Sequence, residues 1–296
     1  MTEHRPSITA GEDRAWVARV VRLKPLGGVA AGSALLLIDG RLLAVHDDSF
    51  RVTWIDPSDF ALESWVLQGA GAALPKASKP DFEAALVTAD GAVHLLGSGS
   101  TAQRCVIARL DLGRRAVTIR QNVPLYERVR DVLKLDTRPN IEGAIVVGEV
   151  LRVFHRGVGG GASAAVDLPL DVLFGAPPQV LALQWIELGM LDGVPLGLTD
   201  VAALDDERAV FVAGAEDTAD AVSDGPIAGS VLGVLAAAAA RARWTRLVDA
   251  DGRPLRRKVE GLVIDADCRG GWILTDADDA AAPAELGRIE ITGMRG

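Results

Sequence analysis

Short apolar runs, many alternating with polar residues and several ending at Asp-Gly, Gly-Gly or Asp-Pro, recur along nearly the whole chain of 296 residues. Period-2 alternation of this kind predicts β-strands. Residues 15–23 alternate in this way but have no hairpin partner beside them. Residues 33–38 and 41–45 flank Asp39-Gly40, a dipeptide that tolerates positive φ and closes hairpins. With 50–54 and 61–67 they make a four-stranded unit. The plan returns at 82–88, 92–96, 104–110 and 116–121, and again at 141–147, 151–154, 164–168 and 181–188. A fourth unit takes 201–204, 208–212, 230–235 and 244–248. A fifth takes 259–264, 272–275 and 287–292, and is one strand short. No segment reads as a helix; residues 235–243 have the composition for one but are too short to stand alone, and predict a turn or a single helical stretch.

A short motif marks the start of each unit's first strand. It reads Asn140-Ile-Glu142-Gly in the third unit, Asp81-Phe-Glu83-Ala in the second and Lys258-Val-Glu260-Gly in the fifth, with Thr199-Asp200-Val in the fourth and Ser33 at the matching place in the first. Glu83 and Glu142 are 59 residues apart, Glu142 and Asp200 58, Asp200 and Glu260 60, and Ser33 lies 50 before Glu83. Self-similarity at this period with four strands per unit predicts an all-β fold, a β-propeller of five (or six) four-stranded blades. The orphan first strand and the missing last one complete each other, so the N-terminal strand closes the ring. The expected organisation is a polar, flexible leader at 1–13 and a single β-propeller domain at 14–296. Two packed β-sandwiches are the rival architecture, and they leave the acidic echo unexplained.

Composition narrows the function. The formal charge of −9 and 4% aromatic content argue against nucleic acid, which needs a basic face and stacking rings. Although 49% of residues are hydrophobic, no apolar run reaches the roughly 18 residues of a membrane span. The opening residues have no apolar signal core, which predicts a cytoplasmic protein. Cys105 and Cys268 form no CxxC pair and read as two buried or half-buried thiols. His94, mid-strand, reads as a core or surface histidine. The glycine run 157–162 lacks a phosphate-loop lysine and a following helix. Asp276-Ala-Asp-Asp279 lacks the glycine and terminal glutamate of a calcium loop.

In a propeller the innermost strands line the axis, so Glu83, Glu142, Asp200 and Glu260 are expected at one channel mouth. His46, Asp47, His155, Arg156, Glu216, Asp217, Asp276 and Asp278 are expected around them. Converging carboxylates stay ionised only when compensated. One compensation is a hard cation on the axis, Ca²⁺ first and Mg²⁺ or Mn²⁺ next, held by those four acids, with His155 or His46 carrying protons. The other is a ring of ion pairs with Lys79, Arg138 and Lys258. Lys79, Arg138 and Arg156 are also the candidates for binding an anionic substrate.

At Asn140-Ile-Glu-Gly, Lys258-Val-Glu-Gly-Leu and Asp81-Phe-Glu-Ala the chain resembles the phytase-like esterase family, and more distantly the gluconolactonase and senescence-marker propellers. The resemblance implies a divalent-metal hydrolase of small esters, lactones or phosphoesters, with Glu142 and Glu260 matching best, Glu83 next and Asp200 by position. Ser33 departs from the pattern. The alternative function is a non-catalytic scaffold or ligand-binding propeller whose acids are structural.

Overall fold

The computed structural model describes residues 7–157, 161–205, 207–217, 225–236, 241–277 and 282–294. The chain opens with β1 (Ser7–Glu12) and β2 (Val17–Pro25). The first antiparallel unit is β3 (Gly32–Ile38), β4 (Arg41–His46), β5 (Arg51–Ile55) and β6 (Leu62–Val66). The second is β7 (Phe82–Val87), β8 (Val93–Gly97), β9 (Val106–Asp111) and β10 (Ala116–Gln121). After helix α1 (Val123–Leu133) comes the third, β11 (Ile141–Val147), β12 (Val150–His155), β13 (Ser163–Pro169) and β14 (Ala182–Glu187), with a 3-10 turn at Leu170–Phe174. The two-residue β15 (Met190–Leu191) leads into the fourth, β16 (Val194–Ala203), β17 (Arg208–Glu216), β18 (Ile227–Ala236) and β19 (Arg241–Val248). The last unit is β20 (Lys258–Ile264), β21 (Gly270–Asp276) and β22 (Glu285–Thr292), completed by β2, which pairs antiparallel with β22 from Val17–Thr292 to Pro25–Glu285.

The five first strands pack in a closed circuit, β3 on β7, β7 on β11, β11 on β16, β16 on β20 and β20 on β3. This is a β-propeller, closed by its N-terminal strand. Each blade buries an apolar face on the next, as Ala84, Leu86, Leu96 and Ile107 of the second blade do against Ile141, Leu151, Val153 and Val166 of the third. Burial on both faces is why the central strands are nearly continuous apolar runs.

Three expectations need correcting. The polar leader does not extend through residue 12: Ser7–Glu12 form β1, which runs parallel to both β14 and β19 and fills the seam between blades three and four. Ile8 and Ala10 point inward while Ser7, Thr9, Gly11 and Glu12 stay exposed, an alternation too short and too polar to stand out in the sequence. Residues 1–6 lie outside the described residues. Second, α1 is a helix where none was expected. Its buried Leu125, Tyr126, Val129 and Leu133 fall on one face, Pro124 sits in its first turn, and Lys134 closes it with φ 55°. Third, the region 235–243 is strand on both sides, since β18 runs to Ala236 and β19 starts at Arg241; residues 237–240 lie outside the described residues.

Candidate active site at the inner strand ends

Each first strand carries one extra residue near its start. The ladder register slips between Gly32 and Ala34, Phe82 and Ala84, Ile141 and Gly143, Leu198 and Asp200, and Val259 and Gly261. The bulged residues are therefore Ser33, Glu83, Glu142, Thr199 and Glu260. A bulge re-aims its side chain out of the ladder, and five at one level around an axis make a ring.

The ring corrects the sequence reading at blade four, where the matching residue is Thr199 and not Asp200. Thr199 Oγ1 donates to the carbonyl of Val259 at 2.6 Å, and Ser33 Oγ donates to the carbonyl of Phe82. In both cases the acceptor precedes the bulged glutamate of the next blade. Asp200 instead occupies the position of Gly143 and Gly261. A Cβ on Gly143 would lie 3.1 Å from the amide nitrogen of Val201, and one on Gly261 would lie 3.1 Å from that of Leu35. Asp200 uses the same proximity: Oδ2 accepts from Leu262 N–H at 2.8 Å, and Oδ1 accepts from Val201 N–H. It is a latch between blades four and five, and burial pushes its acid well above the usual range.

The three glutamates of the ring meet different partners. Glu260 pairs with Lys258 at 2.9 Å. Glu142 Oε1 accepts from Asn140 Nδ2 at 2.6 Å and lies 3.7 Å from Arg156, which bridges to Glu216 of blade four at 2.9 Å. Burial, opposed by Arg156 and reinforced by Glu260, raises Glu142 to about 7. Glu83 has no hydrogen bond or ion pair to any described residue. Burial and the like charges of Asp81, Glu142, Asp47 and Glu260 push it well above the carboxylate range.

Beside Glu83, Asp47 and Asp81 converge on Lys79. The lysine ammonium contacts Asp47 and lies 2.8 Å from Asp81, which also meets Arg104 at 2.8 Å. Burial of Lys79 opposes its charge, but Asp47, Glu83 and Asp81 outweigh that and raise its pKa. Asp47, Asp81 and Glu83 each offer an oxygen within 4.8 Å of the others. Of the four acids expected to share one cation, Glu83 alone joins such a group among the described residues. Asp47 and Asp81 take the other places, and Oδ1 of the buried Asp47 has no hydrogen-bond partner there.

The remaining expected residues have partners of their own. His46 Nε2 meets Thr53 Oγ1 at 2.9 Å, and burial with Arg51 lowers its pKa to about 3. His155 Nδ1 accepts from Asn140 N–H at 3.0 Å, and burial lowers its pKa to about 4. Both are neutral at ordinary pH and hold their own blades. Arg138 does not reach Glu142; it pairs with Glu127 of α1 at 2.9 Å and donates to Cys105 Sγ. Cys105 is buried and Cys268 half-buried, both as free thiols. Asp278 and residues 158–160 lie outside the described residues. The sequence did signal both residues, since Asp81 opens the second copy of the motif and Asp47 is expected around the ring, but only the fold shows that the two meet at Lys79.

Fold and site together define a β-propeller whose five bulged inner strands surround a mostly buried, carboxylate-rich centre. The chain belongs to the family described as "Family of unknown function (DUF6929)", whose model matches residues 28–291. Among solved propellers it is similar to the glutaminyl cyclase of Myxococcus xanthus, with 8% identity over 97% of this chain and 99% of that one, at a TM-score of 0.52. U3-55K is 10% identical over 95% of this chain and 100% of that one (TM-score 0.47), and a luciferin-regenerating enzyme is 7% identical over 93% and 98% (TM-score 0.46). At 8% identity the likeness to the glutaminyl cyclase is one of fold. No curated protein matches the chain in sequence. Among the described residues no helix is long and apolar enough to cross a membrane.

Proposed function

We propose that the ring is the site of a hydrolase for small esters, lactones or phosphoesters, assisted by a divalent cation at the corner of Asp47, Asp81 and Glu83. The carrying observation is Glu83, which has no hydrogen bond or ion pair to any described residue. In a purely structural ring every buried carboxyl group would be expected to have a partner, because a polar group left without a hydrogen bond costs about 1–3 kcal/mol even when the acid is protonated. Glu142, Glu216, Glu260 and Asp200 meet that condition, whereas Glu83 and one oxygen of Asp47 do not. Three carboxylate oxygens within 4.8 Å of one another fit a hard cation, with Ca²⁺ favoured over Mg²⁺ or Mn²⁺ by its tolerance of irregular oxygen sets. Once bound, such an ion would polarise a carbonyl or phosphoryl oxygen.

Proton transfer falls to Glu142, which is raised to about 7 and oriented by Asn140, rather than to His155 or His46. Arg156 and Lys79 stand at the ring for an anionic substrate group, while Arg138 is turned toward α1. The x-Glu-Gly resemblance to phytase-like esterases supports the same reaction class.

A second reading, a non-catalytic ligand-binding scaffold, is favoured by one observation: the Lys79 ammonium already lies against Asp47 and Asp81. Calorimetric titration of Ca²⁺ and Mn²⁺ into the protein, with Glu83→Gln as control, separates the two. Binding that the substitution abolishes supports the cation site, and hydrolysis of model esters then tests the activity. Heat-silent titrations with both ions would leave the scaffold standing.

A further inference from the structure

His94 sits in β8 toward the turn end of its hairpin, paired with Leu86 and well along the strand from Glu83. Its side chain is fully buried, yet neither ring nitrogen has a hydrogen-bond partner among the described residues. A buried polar group left without a partner costs about 1–3 kcal/mol. Phe174, the last residue of the 3-10 turn from blade three, meets the imidazole edge to face with ring centroids 5.5 Å apart. Phe174 is itself 54% exposed. A large aromatic side chain more than half in water, whose covered edge lies on a histidine, contributes little burial and closes a polar site.

The ladder brings two arginines to the same face. Arg109 is the cross-strand partner of His94, and Arg120 is paired with Ile107, one pleat further along and one strand further out. Arg109 is engaged with Asp90 at 2.8 Å. Arg120 has no carboxylate within ion-pair reach among the described residues; its Nη2 lies 3.5 Å from the carbonyl of Val172, in the turn that ends in Phe174. Burial first, then Arg109 and Arg120 against Asp90, lowers the His94 pKa to about 4. The seam between blades two and three thus holds an imidazole without partners and a guanidinium with unmatched N–H groups, under one aromatic ring. Planar N–H donors of this kind match the oxygens of a carboxylate or phosphate.

We propose that this seam is an oxyanion site, distinct from the carboxylate ring, in which Arg120 and His94 donate to a small carboxylate or phosphate and Phe174 is the cover that moves to admit it.

The test is histidine-ring NMR of the full chain, with the His94 signal assigned by its loss in His94→Gln. Inorganic phosphate and acetate are titrated separately against sodium chloride at matched ionic strength. The expected result is a saturable shift of the His94 signal with at least one oxyanion and none with chloride. Arg120→Gln is expected to weaken that shift by about tenfold or more, the loss of one charge-assisted contact. Phe174→Ala is expected to keep the response and lower the concentration at half-saturation. The comparison between phosphate and acetate tells which oxyanion geometry the seam takes. A His94 signal that stays still with both anions at about 50 mM, past the millimolar range of weak sites, overturns the proposal. So does a response of equal size in Arg120→Gln.

Discussion

Thr199 Oγ1 donates a 2.6 Å hydrogen bond to the carbonyl of Val259, one blade away. Ser33 makes the same bond to Phe82, so the two hydroxyl-bearing bulges tie their blades to the next while the three glutamate bulges carry charge to the axis. Thr199→Val keeps the shape and removes the donor. It is expected to cost about 1–2 kcal/mol, read as a lower urea midpoint with an unchanged slope.

Asp200 carries a related prediction with a different readout. Asp200→Asn turns an N–H₂ group toward a backbone N–H, that of Val201 or of Leu262, and is expected to destabilise by about 1–3 kcal/mol. Cation binding should be unaffected, because both carboxylate oxygens already serve backbone amides. A lost calorimetric Ca²⁺ signal in a folded Asp200→Asn protein would return Asp200 to the metal site.

Lys79 decides between the two readings of the acidic corner. Lys79→Met removes the ammonium that competes for Asp47 and Asp81. If the corner takes a cation, Ca²⁺ affinity is expected to rise on the order of tenfold or more. If the corner is only an ion pair, the variant loses roughly 3–5 kcal/mol of stability and shows no binding heat.

The pH dependence of stability follows from the sign of each shift. Glu142 is raised to about 7 in the folded chain, so it is stabilising below the ordinary glutamate pKa of about 4.3 and that contribution is lost as pH climbs to 7. Glu83 acts in the same direction. His46, His94 and His155 are lowered, so their contribution is present above about 6.5 and lost as pH falls through about 4 for His94 and His155 and about 3 for His46. Glu142→Gln is therefore expected to gain stability relative to the parent protein as pH rises from 4.5 to 7, by up to about 3 kcal/mol. Urea midpoints across that range, which show the gap widening or constant, check it.

Gly261 tests the tightness of the centre. A Cβ there would lie 2.9 Å from Leu274 Cβ and 3.1 Å from Leu35 N. Gly261→Ala is expected to destabilise by about 1–3 kcal/mol through overpacking, measured as a fall in thermal midpoint.

The chain by itself determined the repeat. Strand alternation, Asp-Gly turns and the x-Glu-Gly spacing are local features, and a unit that buries both faces against neighbours of the same plan is written into the sequence at a roughly regular period. That is why the closure of the last blade by the N-terminal strand, read at 15–23 and found at 17–25, and the place of Glu83, Glu142 and Glu260 at the start of first strands were legible. Tertiary structure decided what those acids meet. Thr199 and Asp200 are adjacent, and only the ladder register shows which one is bulged. Asp47 stands 34 positions before Asp81, and Arg156 and Glu216 are 60 apart, so no local spacing announces their contacts. The seam strand β1 depends on parallel partners from blades three and four, and the His94 cover on a turn in the next blade. Those are contacts between distant segments, and they exist only after the blades have packed.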